Sequence, residues 1–358
     1  MIYYKQTRSR WQRRSIAVTF GVVLMNACGV GFDLPPAPKA ETPRESAVIL
    51  SVVRLALQWQ PQSQFAGFYM ARDKGLFRAA GLDVRLIHGN SDYSSLDRLR
   101  DGSADIATLF LADAIIAAAP RPPANPPQTG IVQLAQLVQR SNLMLVAWKD
   151  MGVTRARDLA GTRVSYWQGS FSSAFKAFFA ANGVDPEPIP QYATVNLFLK
   201  RGVAACAAME YNEYHRIWQS GIDDDRITAF RMRDYGLGFP EDGLYATATW
   251  VNQNPELARA VRSATLAGWD YARSHPEEAI DTVLAEAGLA GVPANRPQER
   301  WMLNHMIDSI FVPGAAPEEL ATLDRAEFNK AAQAMQSAGL LNRAPVFGEF
   351  APFARSAP

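Results

Sequence analysis

Aromatic and hydrogen-bonding side chains cluster in this sequence at the points where several predicted strands end. Rings can sandwich a flat molecule, and each offset-stacked pair contributes about 0.5–1.5 kcal/mol beyond the area that it buries. Carboxylates and amides can read the edge of the same molecule, and such a site rejects analogues that lack the matching groups. The pattern therefore predicts a binding site for a small heteroaromatic solute. The candidate binding residues are Trp59, Gln60, Phe65, Tyr69, Trp167, Gly169, Ser170, Glu210, Tyr211, Asn212, Asp234 and Tyr235.

Several of these residues also have a plainer structural interpretation. Trp59 can be a core residue beside solvated glutamines, and Glu210 can be a surface acid of a helix. Ser170 can serve only as the N-cap of a helix over 171–181, and the functional alternative is an anion site at that helix start. Asp234 can cap a turn. The sequence leaves these alternatives open.

Motifs of the common catalytic and cofactor-binding sites are missing from the sequence. There is no G-x-x-x-x-G-K-[ST] phosphate loop, no H-E-x-x-H zinc motif and no G-x-S-x-G elbow. The histidines, His88, His215, His275 and His305, are scattered without the spacing of metal ligands. The sequence therefore predicts a binding protein rather than an enzyme, with neither a cofactor nor a metal.

The first candidates are positioned by a predicted strand, loop, helix and second strand. Alternating apolar and polar residues with β-branched side chains predict a strand over 52–57. Pro61 cannot donate to a ladder, so the strand stops before it. Gly75 can end the following helix in the left-handed conformation, and 83–87 resumes a strand. The intervening loop also carries Gln58, Gln62 and Gln64.

Strands and helices then alternate, which implies an α/β architecture with a parallel sheet. Further strands are predicted over 104–111, 131–138, 143–148, 162–167, 203–209, 227–231 and 245–251. Helical periodicity dominates towards the C-terminus, over 256–274, 276–287, 297–310 and 317–338. In open α/β sheets, ligands bind beyond the carboxyl ends of strands, where the candidates fall. Asp113, just after one strand, is most simply a favourable charge at the start of a helix.

Composition bounds the class of protein. The chain has 358 residues, of which 48% are hydrophobic and 20% charged, and its length suggests about two domains. Residues 1–27 hold five basic and no acidic residues, so the remainder carries −4 of a formal net charge of +1. A mildly acidic chain without a basic stripe argues against nucleic-acid binding.

The N-terminus has the pattern of a targeting segment. A basic run to Arg14 precedes a short apolar stretch, which predicts a signal peptide over 1–28. Cys28 lies where a lipoprotein precursor carries its acylated cysteine, and export by the general or the twin-arginine route stays open. Residues 29–47 are proline-rich and predict an extended linker. The other cysteine, Cys206, lies in an apolar run and is expected to be a buried, inert thiol.

Several segments resemble bacterial periplasmic solute-binding proteins related to those that bind or synthesise the pyrimidine precursor of thiamine. These segments are W-Q-P, F-A-G-F-Y-M-A and K-G-L-F-R-A-A-G-L-D-V near the first strand, and E-Y-N-E-Y-H and D-Y-G-L-G-F-P-E-D-G further on. The resemblance implies a two-lobe clamshell of the type II periplasmic binding protein, with a helical C-terminal tail. Lobe 1 would comprise 48–148 plus 245–358 and lobe 2 149–244, with hinge crossings near 148–153 and 240–245. By analogy, Trp59, Glu210, Tyr211, Asn212, Asp234 and Tyr235 would line the ligand cleft.

The resemblance also implies a function. It favours the binding component of an ABC importer, in the periplasm or at the cell surface, lipid-anchored to a membrane and docking on a permease. The favoured solute is a thiamine-related aminopyrimidine. The alternatives are a pyridoxal-dependent pyrimidine precursor synthase, binding of a riboflavin-like solute, and a sensory role. Related enzymes make the pyrimidine with pyridoxal phosphate, using a lysine, a histidine and a cysteine cluster. The matching segments here, D-I-A-T-L-F-L-A-D and F-P-E-D-G-L-Y, contain none of these residues.

Overall fold

The structure is a computed structural model that describes residues 49–90, 93–120, 130–314 and 320–354. The predicted signal peptide over 1–28, including Cys28, and the linker over 29–47 lie outside the described residues. The described residues form one compact unit. No helix in the described ranges is both long enough and apolar enough to cross a bilayer.

Two five-stranded sheets organise this unit. The strands are β1 Ser51–Leu57, β2 Leu82–His88, β3 Ile106–Phe110, β4 Ile131–Gln136, β5 Leu143–Trp148, β6 Arg163–Tyr166, β7 Glu187–Pro190, β8 Ala205–Met209, β9 Ile227–Arg231 and β10 Asp242–Thr247. The first sheet has the order β2-β1-β3-β10-β4, and the second has the order β7-β6-β8-β5-β9. We call the first sheet with its helices lobe 1 and the second sheet with its helices lobe 2.

Helices cover the sheets and make up most of the C-terminal region. They are α1 Ala66–Asp73, α2 Leu76–Ala79, α3 Ser95–Arg100, α4 Leu111–Ala118, α5 Ser173–Asn182, α6 Asn196–Leu199, α7 Glu213–Gln219, α8 Ala248–Gln253, α9 Pro255–Ser274, α10 Pro276–Leu289, α11 Arg296–Ile310, α12 Arg325–Ser337 and α13 Phe347–Phe350. Proline occupies the first turn of α9, α10 and α11, where its missing N–H costs no hydrogen bond. The predicted helical C-terminal tail is thus present, and α9 and α10 pack on α1 of lobe 1.

The chain crosses between the sheets twice, and the strand that follows each crossing runs antiparallel to its neighbours in the sheet. It leaves lobe 1 over 137–142 and returns over 232–241. β5 and β10, the strands that follow the crossings, are antiparallel to their neighbours, whereas β1–β3 and β6–β8 pair in parallel. The expected parallel pairing is therefore present in part of each sheet: both sheets are mixed, because a strand that enters from the other lobe runs in the opposite direction.

The predicted positions of the crossings need correction. β5 was expected in lobe 1, but it pairs with β8 and β9 in the second sheet. The first crossing is therefore 137–142, earlier than 148–153, and the second ends before Asp242. The apolar pattern of β5 suits burial in either sheet, so the pattern could not show which sheet the strand joins.

Two predicted elements also begin or end elsewhere. The strand expected over 245–251 is β10, which ends at Thr247, where the threonine Oγ1 accepts a hydrogen bond from the backbone N–H of Trp250 and starts α8. The helix expected from 317 begins at Arg325, because the Asp324 carboxylate caps its first N–H groups. Residues 315–319 lie outside the described ranges.

Cys206 is fully buried in β8, in a core on one face of the second sheet. Burial raises the pKa of its thiol well above the usual value, which keeps it protonated. The expectation of a buried thiol is confirmed.

The loop that follows β1 is held by the packing of α1 against α9. A Cβ added at Gly268 would lie 2.1 Å from the carbonyl oxygen of Gly67 and 2.7 Å from the Cβ of Ala71. A Cβ at Gly67 would lie 2.3 Å from ring atoms of Trp269. Two glycines therefore let the helices approach closely, and this contact fixes α1 directly after the loop that carries Trp59.

We expect Gly268→Ala to lower the free energy of unfolding by about 1–3 kcal/mol, because the added methyl group must push the α1 backbone away. The matched control is Gly288→Ala in α10, where an added Cβ meets nothing within 4 Å. That change should be neutral or stabilise by about 0.5–1 kcal/mol through lost chain entropy. Chemical denaturation measures both; equal stability of the two variants would contradict the close approach of α1 and α9.

Candidate functional site

A small cavity lies between the lobes at the carboxyl ends of their parallel strands. Its volume is about 30 Å³, room for one or two water molecules. The lining residues follow or end β1, β3, β6 and β8, as expected for a ligand site in an α/β fold. They are Gln58, Trp59, Gln62, Gln64, Phe110, Trp167, Phe171, Met209, Tyr211, Asn212 and Glu213.

Three rings meet across the cavity, and we call Trp59, Trp167 and Phe171 the aromatic trio. The ring of Trp59, from lobe 1, lies 6.5 Å from the ring of Trp167 and 5.6 Å from that of Phe171, both from lobe 2. The interplanar angles of 72° and 84° make both contacts edge-to-face. Phe110 of lobe 1 meets Phe171 in the same way, at 5.6 Å. The lobes therefore touch through a chain of edge-to-face ring contacts at the cavity.

A buried carboxylate, Asp242, orients the amides on the lobe 1 side. Its Oδ1 accepts a hydrogen bond from Gln58 Nε2 at 2.8 Å, and its Oδ2 accepts one from Gln64 Nε2 at 2.6 Å. Gln64 Oε1 in turn accepts from Gln62 Nε2 at 2.6 Å. Burial raises the pKa of Asp242 to about 6, so the carboxylate is ionised at neutral pH and fixes which end of each amide faces it.

The lobe 2 side is built around a second buried acid, Glu213 at the start of α7. Its carboxylate accepts hydrogen bonds from the backbone N–H of Met209 at 2.9 Å and from Asn212 Nδ2 at 2.8 Å. Burial raises the pKa of Glu213. These bonds hold the turn that presents Tyr211 and Asn212 to the cavity.

Glu241 ties the two crossings together. Its Oε1 accepts hydrogen bonds from Ser141 Oγ at 2.9 Å and from the backbone N–H groups of Asn142 at 2.7 Å and Leu143 at 2.9 Å. Burial, and then the neighbouring Asp242, raise the pKa of Glu241 to about 8. One side chain of the return crossing thus anchors the end of the outgoing crossing.

On one flank, α11 of lobe 1 contacts α7 of lobe 2. The indole ring of Trp301 stacks on His215 with centroids 4.5 Å apart and planes at 5°. Trp301 Nε1 also donates to the carbonyl oxygen of Glu210 at 3.0 Å. Gln298 contacts His215 Nδ1 at 2.7 Å and donates to Asn212 Oδ1 at 3.2 Å. This flank joins the lobes directly beside the cavity.

On the other flank, Asp113 of α4 accepts a hydrogen bond from Ser173 Oγ of α5. Asp113 is buried, which raises its pKa to about 7, while Ser173 and the Lys176 ammonium act in the opposite direction. α12 packs on both α4 and α5. The acid expected to be a simple helix charge therefore belongs to a contact between the lobes.

The structure brings only part of the predicted set to the cavity. Trp59, Trp167, Tyr211 and Asn212 line it together. Gln60 lies half-buried in the same loop.

Phe65 and Tyr69 are fully buried within lobe 1, beside His88. Tyr69 Oη lies 3.3 Å from His88 Nε2, and the Phe65 ring centroid lies 6.0 Å from that of His88. Their place in the contiguous hydrophobic core explains the apolar periodicity that predicted the helix.

The remaining candidates lie in lobe 2 and are not among the residues that line the cavity. Glu210 accepts hydrogen bonds from Arg231 Nε and Arg233 Nη1, both at 2.6 Å, and the arginines lower its pKa against the effect of burial. Asp234 is exposed, and Tyr235 packs its ring edge-to-face against Phe178 at 4.8 Å. Gly169 takes φ +67° at the start of the short helical turn over 169–171, which includes Ser170.

Several lining residues were missed as candidates. Phe110 and Met209 end strands and were read as ordinary apolar strand residues, although their position at a carboxyl end was a usable signal. Phe171 and Glu213 carried no distinct signal. The role of Asp242 depends on contacts over a separation of 184 residues with Gln58 and 178 with Gln64, which no local pattern reveals. No cluster of potential metal ligands occurs among the described residues.

The two mixed sheets, the double crossing and the cavity between the lobes define the fold of periplasmic binding proteins. A Candida albicans gene product with the generic form of that fold matches with a TM-score of 0.59 at 15% identity, covering 84% of this chain and 96% of that one. Residues 62–279 match the family described as NMT1/THI5 like, and the chain belongs to that family.

Two curated relatives are similar at the sequence level. A formylaminopyrimidine-binding protein of Halalkalibacterium halodurans is 23% identical over 273 residues, 74% of this chain and 79% of that protein. The riboflavin-binding protein RibY of Chloroflexus aurantiacus is 23% identical over 337 residues, 91% of this chain and 92% of that protein. The family resemblance noted from the sequence motifs is confirmed.

We expect the stability of the protein to fall as pH rises from about 4 to about 7, because Asp113 keeps its proton in the folded state after the unfolded state has lost it. At 1.36 kcal/mol for each pKa unit, the effect reaches up to about 4 kcal/mol. Asp113→Asn should flatten this part of the stability profile, whereas Asp101→Asn on the exposed end of α3 should not. Denaturant midpoints from pH 4.5 to 8 test this, and an unchanged slope in Asp113→Asn would contradict it.

We expect Trp301→Ala to favour an open arrangement of the lobes. The change removes the stack on His215 and a hydrogen bond to Glu210, together worth about 1–2 kcal/mol. Small-angle X-ray scattering of the free protein should show a larger radius of gyration than in wild type. The control is Trp250→Ala in α8, away from the contact between the lobes. The same radius of gyration in wild type, Trp301→Ala and Trp250→Ala would contradict the expectation.

Proposed function

We propose that this protein is the substrate-binding component of an ABC importer and captures a small heteroaromatic solute. A thiamine-related aminopyrimidine is the favoured solute. The observation that carries the proposal is the cavity itself, where rings from both lobes meet beside amides and acids. A planar molecule between Trp59 and the lobe 2 rings would gain stacking contacts from two sides. Its edge would then meet the polar side chains that follow β1 and β8.

The charge of the cavity supports a neutral or cationic solute. Within the described part of the chain, its lining includes no lysine or arginine. Glu213 lines it, and Asp242 lies directly behind Gln58 and Gln64. An anionic solute would find no compensating charge there, and burying an unpaired charge is costly.

The small volume of the cavity supports binding coupled to hinge motion. About 30 Å³ is too little for a pyrimidine ring, so the aromatic trio must separate before a solute enters. The two crossings are the segments that would absorb this motion, and the flanks around Trp301 and Asp113 would re-form upon closure. The closed form is the one that a permease would distinguish from the open form.

A riboflavin-like solute is the second candidate. The RibY relative covers more of the chain than the formylaminopyrimidine-binding relative does. The larger isoalloxazine ring system would require a wider separation of the lobes, but it would use the same ring faces.

Export and membrane attachment complete the proposal. The basic and apolar N-terminal segment would direct export to the periplasm or cell surface, and acylation of Cys28 would anchor the chain to the membrane through the proline-rich linker. The proposed role includes no covalent chemistry: no lysine that could hold pyridoxal phosphate is found among the described lining residues.

We expect the chain from residue 29 onward to bind formylaminopyrimidine with quenching of tryptophan fluorescence. Trp59→Ala should weaken this binding about 10- to 100-fold, because it removes one face of the stack. Trp250→Ala, a half-buried tryptophan of α8, should leave the affinity unchanged. Calorimetry with formylaminopyrimidine and riboflavin measures the affinities, and the absence of heat with both ligands would overturn the proposal.

A further inference from the structure

One buried acceptor, on a residue that lines the cavity, has no hydrogen-bond partner among the described residues. Gln58 is 1% exposed and lines the cavity, and no group among the described residues donates to its Oε1. A buried polar atom without a partner is rare in folded proteins, because the desolvation of that atom is not offset. When the residue lines a proposed ligand site, a hydrogen-bond donor on the ligand would offset this cost.

The free atom is the oxygen of the amide rather than its nitrogen. Gln58 Nε2 lies 2.8 Å from one oxygen of Asp242, and the other oxygen takes Gln64 Nε2 at 2.6 Å. A carboxylate accepts and cannot donate, so each amide must turn its nitrogen towards Asp242 and its oxygen away. The backbone N–H of Gln58 is also held, by Thr108 Oγ1 at 2.8 Å. The orientation is therefore imposed by neighbouring groups.

The other amides of the loop are also oriented by hydrogen bonds. Gln64 Oε1 already accepts from Gln62 Nε2. The nitrogen and the oxygen of the Gln64 amide therefore both have partners. The contact with Gln64 uses one N–H of the Gln62 amide. Within the described part of the chain, the buried amide oxygen of this network that lacks a donor is Gln58 Oε1.

We propose that Gln58 is a specificity-determining residue whose Oε1 accepts an N–H from the ring-bound amino group of the solute. Asp242 is a positioning residue that holds the amide nitrogen and so keeps this oxygen turned away from its own carboxylate. This inference rests on the proposed function and deepens it: the solute is a heteroaromatic molecule that carries an N–H donor on its edge. A ring with a carbonyl oxygen at the same position would meet Gln58 oxygen to oxygen.

The test compares three pyrimidines by calorimetry at pH 7.5. They are formylaminopyrimidine, its analogue with methyl in place of the ring amino group, and its analogue with an oxo group there. Wild-type protein should bind the amino form about tenfold more tightly than the methyl form, or about 1.4 kcal/mol. The preference over the oxo form should reach roughly a hundredfold, because two acceptors then face each other.

Two variants separate the roles. Gln58→Met keeps the length of the side chain and removes the acceptor, so the ratio of amino to methyl affinity should fall to near one. Asp242→Asn releases the amide of Gln58 to turn, so the preference for the amino over the oxo form should drop by about tenfold. A merely structural role of Asp242 would weaken both ligands equally and leave this ratio unchanged.

The matched control is Gln133→Met. Gln133 is a buried glutamine of β4 whose amide donates to Gln136 and Tyr245 away from the cavity lining. This variant should lower the melting temperature and leave both affinity ratios at wild-type values. If Gln58→Met does not fold, the wild-type ratios and Asp242→Asn still decide the matter.

The possible outcomes distinguish a failure of the inference about Gln58 from a failure of the proposed function. If the amino form binds but the methyl form binds equally well, the inference about Gln58 fails and the proposed function stands. If riboflavin binds and no pyrimidine does, riboflavin and N3-methylriboflavin become the matched pair, and equal affinities would again overturn the inference. If neither ring system binds, the proposed function and the inference fail together.

Discussion

The buried acids Glu241 and Asp242 lie where the chain returns from lobe 2 to lobe 1, and their hydrogen bonds hold the parts of the site together. Glu241 accepts from three groups at the end of the outgoing crossing. Asp242, the next residue, accepts from two glutamines of the loop that follows β1. Neighbouring residues thus connect the two crossings to the loop that follows β1. Removal of either carboxylate would leave several buried donors without a partner.

The lobes are held closed by contacts that differ in kind on each side of the cavity. One flank uses a histidine–tryptophan stack, and the other uses a buried aspartate–serine hydrogen bond beneath α12. Between these two flanks, the ring of Trp59 contacts the other two rings of the aromatic trio edge-to-face. Individually such contacts contribute about 1 kcal/mol, so the contact between the lobes is built from several weak interactions.

The sequence was informative wherever a residue acts through its local pattern. The strand–loop–helix unit, the left-handed Gly75 with φ +67° and the prolines that begin α9, α10 and α11 follow from periodicity and backbone sterics. The same reasoning placed Trp59 and Trp167 at strand ends, where the cavity lies. It also included Phe65 and Tyr69, because an aromatic residue on a helix has the same pattern whether it faces a core or a ligand.

By itself, the sequence determined the α/β class, the family motifs and the concentration of rings and amides after strands, because these depend on residues close together in the chain. Only the tertiary structure decided that β5 joins the second sheet, that Asp113 bridges the lobes and that Asp242 orients Gln58. These features depend on pairings between residues 58 to 184 positions apart. Such pairings are selected by the packing of whole sheets and by the burial of charge, which no local stretch of sequence encodes.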